Sequence, residues 1–83
     1  PVLLETGAHT WEVDGRFHID DFNEAADSLL PEDDEYDTVG GWFTACVGHV
    51  PASGESHVVD GLEFEVLKAE PTRVIKLRVR RVE

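Results

Sequence analysis

The sequence contains few cysteines and basic residues and no methionine, and each of these shortages excludes certain structures or partners. Cys46 is the only cysteine, so no internal disulfide can form, which fits a reducing compartment or a thiol buried in a core. There is no methionine, and the chain opens on Pro1 without a signal-peptide pattern, so we expect a fragment of a longer protein. No apolar run approaches the roughly 20 residues that a membrane-spanning helix needs.

Basic residues are scarce beside acidic ones. Seven Lys and Arg stand against 18 Asp and Glu, a formal net charge of −11 over 83 residues. This balance argues against nucleic acid and anionic membrane surfaces as partners, because both are bound through cationic patches, and it tolerates basic partners. The hydrophobic fraction of 41% is ordinary for a small globular domain. We interpret residues 1–9 as a linker or entering arm and residues 10–83 as the domain.

A hairpin is predicted at the start of that domain. Apolar and polar residues alternate over residues 10–13 and again over residues 17–19. Asp14-Gly15 between them is a strong hairpin signal. A three-residue loop over residues 14–16 places the apolar side chains of both strands on one face.

A first short helix is predicted next. It begins near Asp21, three residues before Glu24 as in a capping box, and it stops at Leu30 because Pro31 follows. The residues of its expected apolar stripe are Phe22, Ala25, Ala26 and Leu29.

A second short helix is predicted after the acidic loop of residues 32–37. Asp37 or Thr38 caps its start, and Gly48 suits its end. Its expected apolar side comprises Val39, Trp42, Phe43, Cys46 and Val47. On this side of a helix, Cys46 is expected to be a buried and unreactive thiol.

Strands are predicted in the C-terminal part of the chain. Val58-Val59 begins strand character, Asp60-Gly61 is a turn signal, and residues 62–66 and 75–79 alternate. The last two strands are expected to pair antiparallel, which sets opposite charges across from each other, at roughly 0.2–1 kcal/mol per pair. The charged residues concerned are Glu63 and Glu65 facing Lys76, Arg78 or Arg80. The order β-β-α-α-β-β-β predicts an α+β fold, an antiparallel sheet with two short helices on one face.

The order and spacing of several motifs over about residues 10–80 resemble a known family. The central motifs are Leu29-Leu30-Pro31-Glu32-Asp33, Tyr36-Asp37-Thr38-Val39-Gly40-Gly41, Val47-Gly48-His49-Val50-Pro51 and Gly54-Glu55. The flanking motifs are Trp11-Glu12-Val13-Asp14-Gly15-Arg16, Asp20-Asp21-Phe22-Asn23, Phe64-Glu65-Val66-Leu67 and Arg73-Val74. Together they resemble the CorC/HlyC-type transporter-associated domain.

The resemblance implies an accessory module rather than an enzyme. Such domains follow a transmembrane domain and a pair of CBS domains in magnesium/cobalt efflux or hemolysin-like proteins, on the cytoplasmic face of the cell membrane. Their fold is similar to the small part of some FAD-binding domains. We therefore expect a non-catalytic module that modulates ion transport through contacts with the CBS and transmembrane domains of its parent, or as a homodimer. Trp42 and Leu3-Leu4 are the expected contact points.

Two ligand-binding alternatives stay open. Thr38, Gly40 and Gly41 lie at the start of a predicted helix, where free N–H groups bind anions, so an adenine nucleotide or FAD is one candidate ligand. The acidic loop, through Asp33, Asp34 and Asp37, is a candidate site for a hard cation such as magnesium. Neither segment has a dinucleotide, P-loop or EF-hand motif, so close glycine packing and a solvated loop are the simpler explanations.

The histidines and serines carry no recognisable catalytic or metal-binding spacing. A zinc or cobalt site would require the fold to bring together histidines that are distant in sequence, namely His9, His18, His49 and His57. None of Ser28, Ser53 and Ser56 lies in a nucleophile-elbow sequence, so no catalytic residue is predicted.

Overall fold

The computed structural model describes residues 3–32 and 35–82, which form a five-stranded sheet and two helices. The elements are β1 Leu3–Gly7, β2 Thr10–Asp14, α1 Ile19–Ala26, α2 Val39–Val47, β3 Ser56–Val59, β4 Leu62–Glu70 and β5 Arg73–Arg81. The strand order is β1-β2-β5-β4-β3, with every neighbouring pair antiparallel. The predicted α+β class and element order are confirmed. Neither helix described here is long or apolar enough to cross a membrane.

Of the two strands predicted before the helices, the one over residues 10–13 is confirmed as β2, but its partner is not the one predicted. The described part of the expected arm contains β1, an edge strand in which Leu3 lies opposite Val13 of β2. The strand predicted over residues 17–19 is wrong, because the chain turns after β2 and enters α1 at Ile19. Phe17 and Ile19 still contribute to the core. Two apolar residues at a spacing of two fit a helix entry as well as a strand, and this ambiguity produced the error.

α1 ends earlier than predicted, and this changes which residues form its apolar face. Asp27 has left-handed backbone angles (φ 52°, ψ 48°), which terminate the helix after Ala26. Leu29 therefore lies outside the helix and is 96% exposed, while Leu30 is buried. Ala25 is exposed as well, so two of the four predicted stripe residues were wrong.

One side chain holds the segment that follows α1. The amide of Asn23 donates to the carbonyl of Leu30 at 2.9 Å, and its Oδ1 accepts from the N–H of Leu30 at 2.9 Å. The same Oδ1 accepts from the hydroxyl of Ser28 at 2.8 Å. This network fixes the non-helical segment and leads Leu30 back into the core.

α2 has the bounds and the caps that the sequence indicated. The hydroxyl of Thr38 accepts from the N–H of Gly41 at 3.2 Å, and Gly48, with φ 93°, ends the helix. Two predictions on this helix were wrong. Trp42, expected as an exposed contact point, is only 5% exposed, and Cys46, expected in the core, is exposed. Consecutive helical residues point about 100° apart, so Val47 packs partly against the core and Cys46 turns away from it.

The core lies between one face of the sheet and the two helices. Phe43 of α2 stacks on Phe64 of β4 at a ring-centroid distance of 5.1 Å, and Trp42 lies 5.5 Å from the same ring. On the other side of the core, Trp11 of β2 meets Phe22 of α1 edge-on at 6.2 Å. These aromatic contacts join both helices to the central strands of the sheet.

The opposite face of the sheet carries the charge pairs that the sequence predicted. In the β4–β5 hairpin, Glu63 lies opposite Arg80 and Glu65 opposite Arg78. Arg78 donates to Glu65 at 3.1 Å, and the Nε of Arg80 donates to Glu63 at 3.1 Å. Glu12 of β2 lies within 4.0 Å of Arg78 from the other side. The basic C-terminal strand thus packs between two acidic strands.

Candidate functional site

The Gly40-Gly41 pair, a candidate anion site, lies where three backbone segments meet. The N–H of Gly40 donates to the carbonyl of Gly15 at 2.9 Å. A Cβ placed on Gly40 would lie 2.7 Å from that carbonyl oxygen, and one on Gly15 would lie 2.1 Å from the carbonyl oxygen of Val74. Both distances are below any ordinary van der Waals contact, so close backbone approach explains these two glycines.

The N-terminus of α2 has already used its hydrogen-bond donors. The N–H groups of Val39 and Gly40 donate to the carbonyls of Phe17 and Gly15, both at 2.9 Å. The N–H groups of the next two residues, 41 and 42, donate to the side chain and the carbonyl of Thr38. Anion binding at a helix start depends on free donors of this kind. The fold therefore brings together Thr38, Gly40 and Gly41, the three residues considered for nucleotide binding. They form a tightly packed backbone junction in which the N–H groups of residues 39–42 already have acceptors.

A groove of about 240 Å³ lies beside this junction. Its polar lining includes Arg16 and Arg73, and each arginine already faces a carboxylate. Arg16 lies 3.5 Å from Asp14, and Arg73 lies 3.3 Å from Glu70. The pKa of Asp14 is lowered, first by the backbone N–H of Arg16 that it accepts and then by the guanidinium of the same residue. Each of these two cationic groups thus has a carboxylate of the same chain beside it.

The acidic loop is only partly described, and a different cluster lies next to it. Asp33 and Asp34 lie outside the described residues, and the carbonyl of Asp37 accepts from the N–H of Ile19 at 3.0 Å. Through this bond the end of the loop lies against the start of α1. There, three exposed side chains have donor atoms within 4.8 Å of one another, namely His18, Asp20 and Asp21. Sequence reasoning missed this group, although its His-x-Asp-Asp spacing at a helix start was visible.

Two histidines converge on one carboxylate at the other end of α2. The Nε2 of His57 lies 2.7 Å from Oε2 of Glu55, and the Nε2 of His49 lies 3.6 Å from the same oxygen. His49 follows the C-terminus of α2, whereas His57 belongs to β3. The tertiary fold brings them together across the turn of residues 51–55.

The carboxylate of Glu55 is held in place by the backbone. Its Oε1 accepts from the N–H of Ala52 at 3.2 Å, and its own N–H donates to the carbonyl of Ala52 at 3.0 Å. The carbonyl of Glu55 accepts from the N–H of Val66 at 2.9 Å, which ties the turn to β4. The hydrogen bond with His57, followed by the one from Ala52, lowers the pKa of Glu55.

Cys46 lies near this end of α2, on the solvent side. Partial burial, followed by the negative charge of Asp60, raises the pKa of its thiol. The thiol is thus accessible but poorly ionised, whereas a nucleophilic cysteine has a pKa lowered by a nearby positive charge.

An exposed leucine borders a second groove at the end of α1. This Leu29 groove, of about 410 Å³, is lined by Asp27, Ser28, Leu29, Leu30, Asp60, Leu62 and Arg81. Arg81 donates to the carbonyl of Ala26 at 2.6 Å, so its charge faces the C-terminus of α1. Leu4 and Val58, on the two edge strands, are the other exposed large apolar residues of the described chain, at 55% and 63%.

Comparison with known proteins identifies the family. The family model described as "Transporter associated domain" (CorC_HlyC) matches residues 5–83. The magnesium and cobalt efflux protein CorC of Escherichia coli (strain K12) is 42% identical over 72 residues, which is 87% of this chain. The chain spans 24% of the length of that relative.

Solved structures agree with the sequence relatives. The transporter associated domain CorC_HlyC from Nitrosomonas europaea has a TM-score of 0.88 at 32% identity, covering 99% of this chain and 98% of its own. A CorC_HlyC domain from a Xylella fastidiosa hemolysin, solved in complex with Mg²⁺ and Mn²⁺, shares the fold, with a TM-score of 0.82 at 20% identity over 100% of both chains. With a family match over nearly its whole length, this chain belongs to the CorC_HlyC family of transporter-associated domains.

Proposed function

We propose that this domain is a non-catalytic regulatory module of a membrane ion-transport protein of the magnesium and cobalt efflux kind. It acts by docking on a neighbouring domain of a longer chain, on the cytoplasmic face of the membrane. The observation that carries the proposal is Leu29, a large apolar side chain that is 96% exposed at the rim of a groove. An exposed leucine of this kind contributes nothing to its own core and gains free energy only when a partner covers it.

The charge around the groove indicates what kind of partner fits. Asp27 and Asp60 line it, and no Lys or Arg occurs anywhere in residues 17–67. Arg81, the cation that the described residues place at the groove, is directed to the carbonyl groups at the end of α1. A complementary surface therefore presents an apolar pocket with basic residues around it. The same acidity opposes face-to-face pairing of two copies through this groove, so the CBS domains of the parent chain are the partner that we propose.

Binding between separately purified domains tests this proposal. The domain as it stands is a suitable reagent, since the solved Nitrosomonas europaea relative is a chain of nearly the same extent. We expect Leu29→Ser to weaken binding to the parent's CBS pair by at least about tenfold, or about 1.4 kcal/mol, with an unchanged melting temperature. Leu4→Ser removes an exposed apolar residue from β1, the edge strand opposite β3, which contributes no residue to the groove, and is the matched control. Equal loss in both variants, or no effect of Leu29→Ser, would contradict docking at the groove.

A divalent-cation sensor near the acidic loop is a second candidate function. It is favoured by the grouping of His18, Asp20 and Asp21, which the bond from Ile19 to Asp37 places beside that loop. The Xylella fastidiosa domain was solved with Mg²⁺ and Mn²⁺, but at 20% identity its likeness extends to the fold alone. A calorimetric titration with Mn²⁺ tests the site. Saturable binding that Asp20→Asn and Asp21→Asn each abolish supports it, and binding that neither variant changes rules it out.

A further inference from the structure

The two edges of the sheet differ in how they are protected from pairing with another strand. β1 carries Glu5 and a register shift between Glu5 and Gly7, and charges and irregularities of this kind discourage further pairing. β3 pairs with β4 in continuous register, and its four residues include no Asp, Glu, Lys, Arg or Pro. We propose that β3 pairs with β3 of a second copy of this chain, antiparallel and across a two-fold axis. This pairing, which we call the β3 contact, does not depend on the docking function.

The hydrogen bonds between β3 and β4 show which backbone groups of β3 face outward. The N–H of Val66 in β4 donates to the carbonyl of Glu55 at 2.9 Å, and successive residues of an antiparallel strand bond to opposite sides. The odd-numbered residues of β3 therefore bond to β4, whereas the N–H and C=O groups of Ser56 and Val58 point away from it. Among the described residues, no strand lies beyond β3 to receive these groups. They are thus available to a strand of another chain.

The short strand is complementary to itself when the two-fold axis passes beside His57. Ser56 of each copy then lies opposite Val58 of the other, so both outward-facing residues of each strand donate and accept a hydrogen bond. An axis beside Val58 would pair only that residue within the strand. Ser56 would then lie opposite Asp60, whose left-handed backbone (φ 53°) does not continue the strand. The register centred on His57 is therefore the one that we propose.

The side chains at this edge are compatible with a second copy. Val58 is 63% exposed, and the neighbouring strand would cover part of its apolar surface. In the proposed register the two flanking acids, Glu55 and Asp60, lie opposite Val59 and Gly54, so no acid directly faces another acid. The two copies still repel each other through their net charge of −11. The β3 contact is therefore weak, and it should strengthen as salt screens this repulsion.

Sedimentation equilibrium combined with amide hydrogen exchange tests the β3 contact. We expect a dimer whose fraction rises with protein concentration and with salt. The N–H groups of Ser56 and Val58 should exchange more slowly as the dimer forms, whereas the N–H of His57 should change far less, because it is already bonded to β4. A chain that stays monomeric up to about 1 mM would leave this edge to a strand of some other protein and would overturn the proposal.

Val58→Pro is the decisive variant, because it removes an N–H that the monomer does not use. Proline is tolerated on an edge strand where the missing N–H would face solvent, so the melting temperature of the monomer should hardly change. We expect the dimer to weaken by at least about tenfold. Ser56→Pro removes the other outward N–H and gives an independent test if the first variant does not fold. Val58→Thr keeps both the N–H and a β-branched side chain, so this matched control should dimerise like the wild type.

Two variants away from β3 show whether the contact lies elsewhere. Leu4→Ser changes the opposite edge strand, and Leu29→Ser changes the groove proposed for docking, so both should dimerise like the wild type. Loss of the dimer in either of these variants would place the contact outside β3. That result, or unchanged dimerisation of a folded Val58→Pro or Ser56→Pro variant, would overturn the proposal.

Discussion

The two ends of α2 use their polar groups in opposite ways. At the N-terminal end, the backbone donors of residues 39–42 are all taken within the protein, and Gly40 touches Gly15. At the C-terminal end, two histidines share one oxygen of Glu55, and the thiol of Cys46 is exposed. The end with the recognisable motif is closed, whereas the end without a motif presents polar side chains at the surface.

This difference shows how a local pattern can mislead about function. A glycine pair at a helix start fits both anion binding and tight packing, and only the position of Gly15 decides between them. Histidines eight residues apart fit neither a helix nor a single strand, so their convergence depends on the turn between α2 and β3. The closed end should therefore respond most strongly to substitution, and the open end least.

The largest effect is expected for Gly40→Ala. Its new Cβ would lie 2.7 Å from the carbonyl oxygen of Gly15 and 3.0 Å from the Cα of the same residue, so one backbone segment must move. Overpacking of this kind costs about 1–3 kcal/mol, and we expect the upper end of that range in urea unfolding. Gly41→Ala is the control, because its Cβ would lie 2.9 Å from the Thr38 hydroxyl and not against backbone, so it should cost no more than the loss of that cap, about 1 kcal/mol. Equal costs would show that the junction tolerates a side chain.

A smaller loss is expected for Thr38→Ala at the same end. The hydroxyl of Thr38 accepts the N–H of Gly41, and removal of such a cap costs typically about 1 kcal/mol. Thr38→Ser retains the oxygen and should restore most of the stability, as measured by the midpoint of urea unfolding. The variant has a second use, because it frees one N–H at the helix start. Sulfate or phosphate that stabilises Thr38→Ala but not the wild type would confirm that the native cap keeps this end closed to anions.

At the open end, the stability conferred by Glu55 should depend on pH. The folded-state pKa of Glu55 is lowered, chiefly by its hydrogen bond with His57. Its contribution is therefore present above the unfolded pKa of about 4.3 and is lost as the pH falls through the folded value. We expect the difference in unfolding free energy between wild type and Glu55→Gln to shrink as the pH is lowered from about 5. A difference that stays constant over this range would contradict the hydrogen bond.

The smallest effect on stability is expected at Cys46. Its side chain is exposed, so Cys46→Ser should change the unfolding free energy by no more than about 0.5 kcal/mol. The native thiol should react fully with a thiol reagent, but more slowly than a free cysteine at the same pH, because its pKa is raised. Failure to label the folded protein would place the thiol in the core and restore the original expectation for this residue.

Most of the fold was predictable because its signals are local. The β4–β5 hairpin follows from alternation with opposite charges, and the Asp60-Gly61 turn is confirmed by positive φ angles of 53° and 78°. Those angles favour glycine and aspartate, so the two residue types alone are enough to predict the turn. The cap and the end of α2 were visible for the same reason. By contrast, β1 has no alternation of burial, because an edge strand on the surface leaves four of its five residues exposed.

The candidate sites were predictable only in part. Thr38, Gly40 and Gly41 were singled out as neighbours at a helix start, but their contacts needed the position of Gly15. His18, Asp20 and Asp21 lie close in sequence and could have been found from their spacing. The approach of His49 and His57 to the same carboxylate of Glu55 could not have been found, since no periodicity relates a helix end to an edge strand.

The sequence by itself determined the class of fold, the family, the caps of α2 and the charge pairing of the sheet, because each depends on residues that are neighbours along a strand or helix. Tertiary structure alone decided which apolar residues are exposed and which polar groups meet. Leu29 and Cys46 are exposed, and Trp42 is buried, because the ends and orientations of the helices are set by packing against the sheet. Contacts between distant segments depend on the path of the whole chain, and no local preference encodes that path.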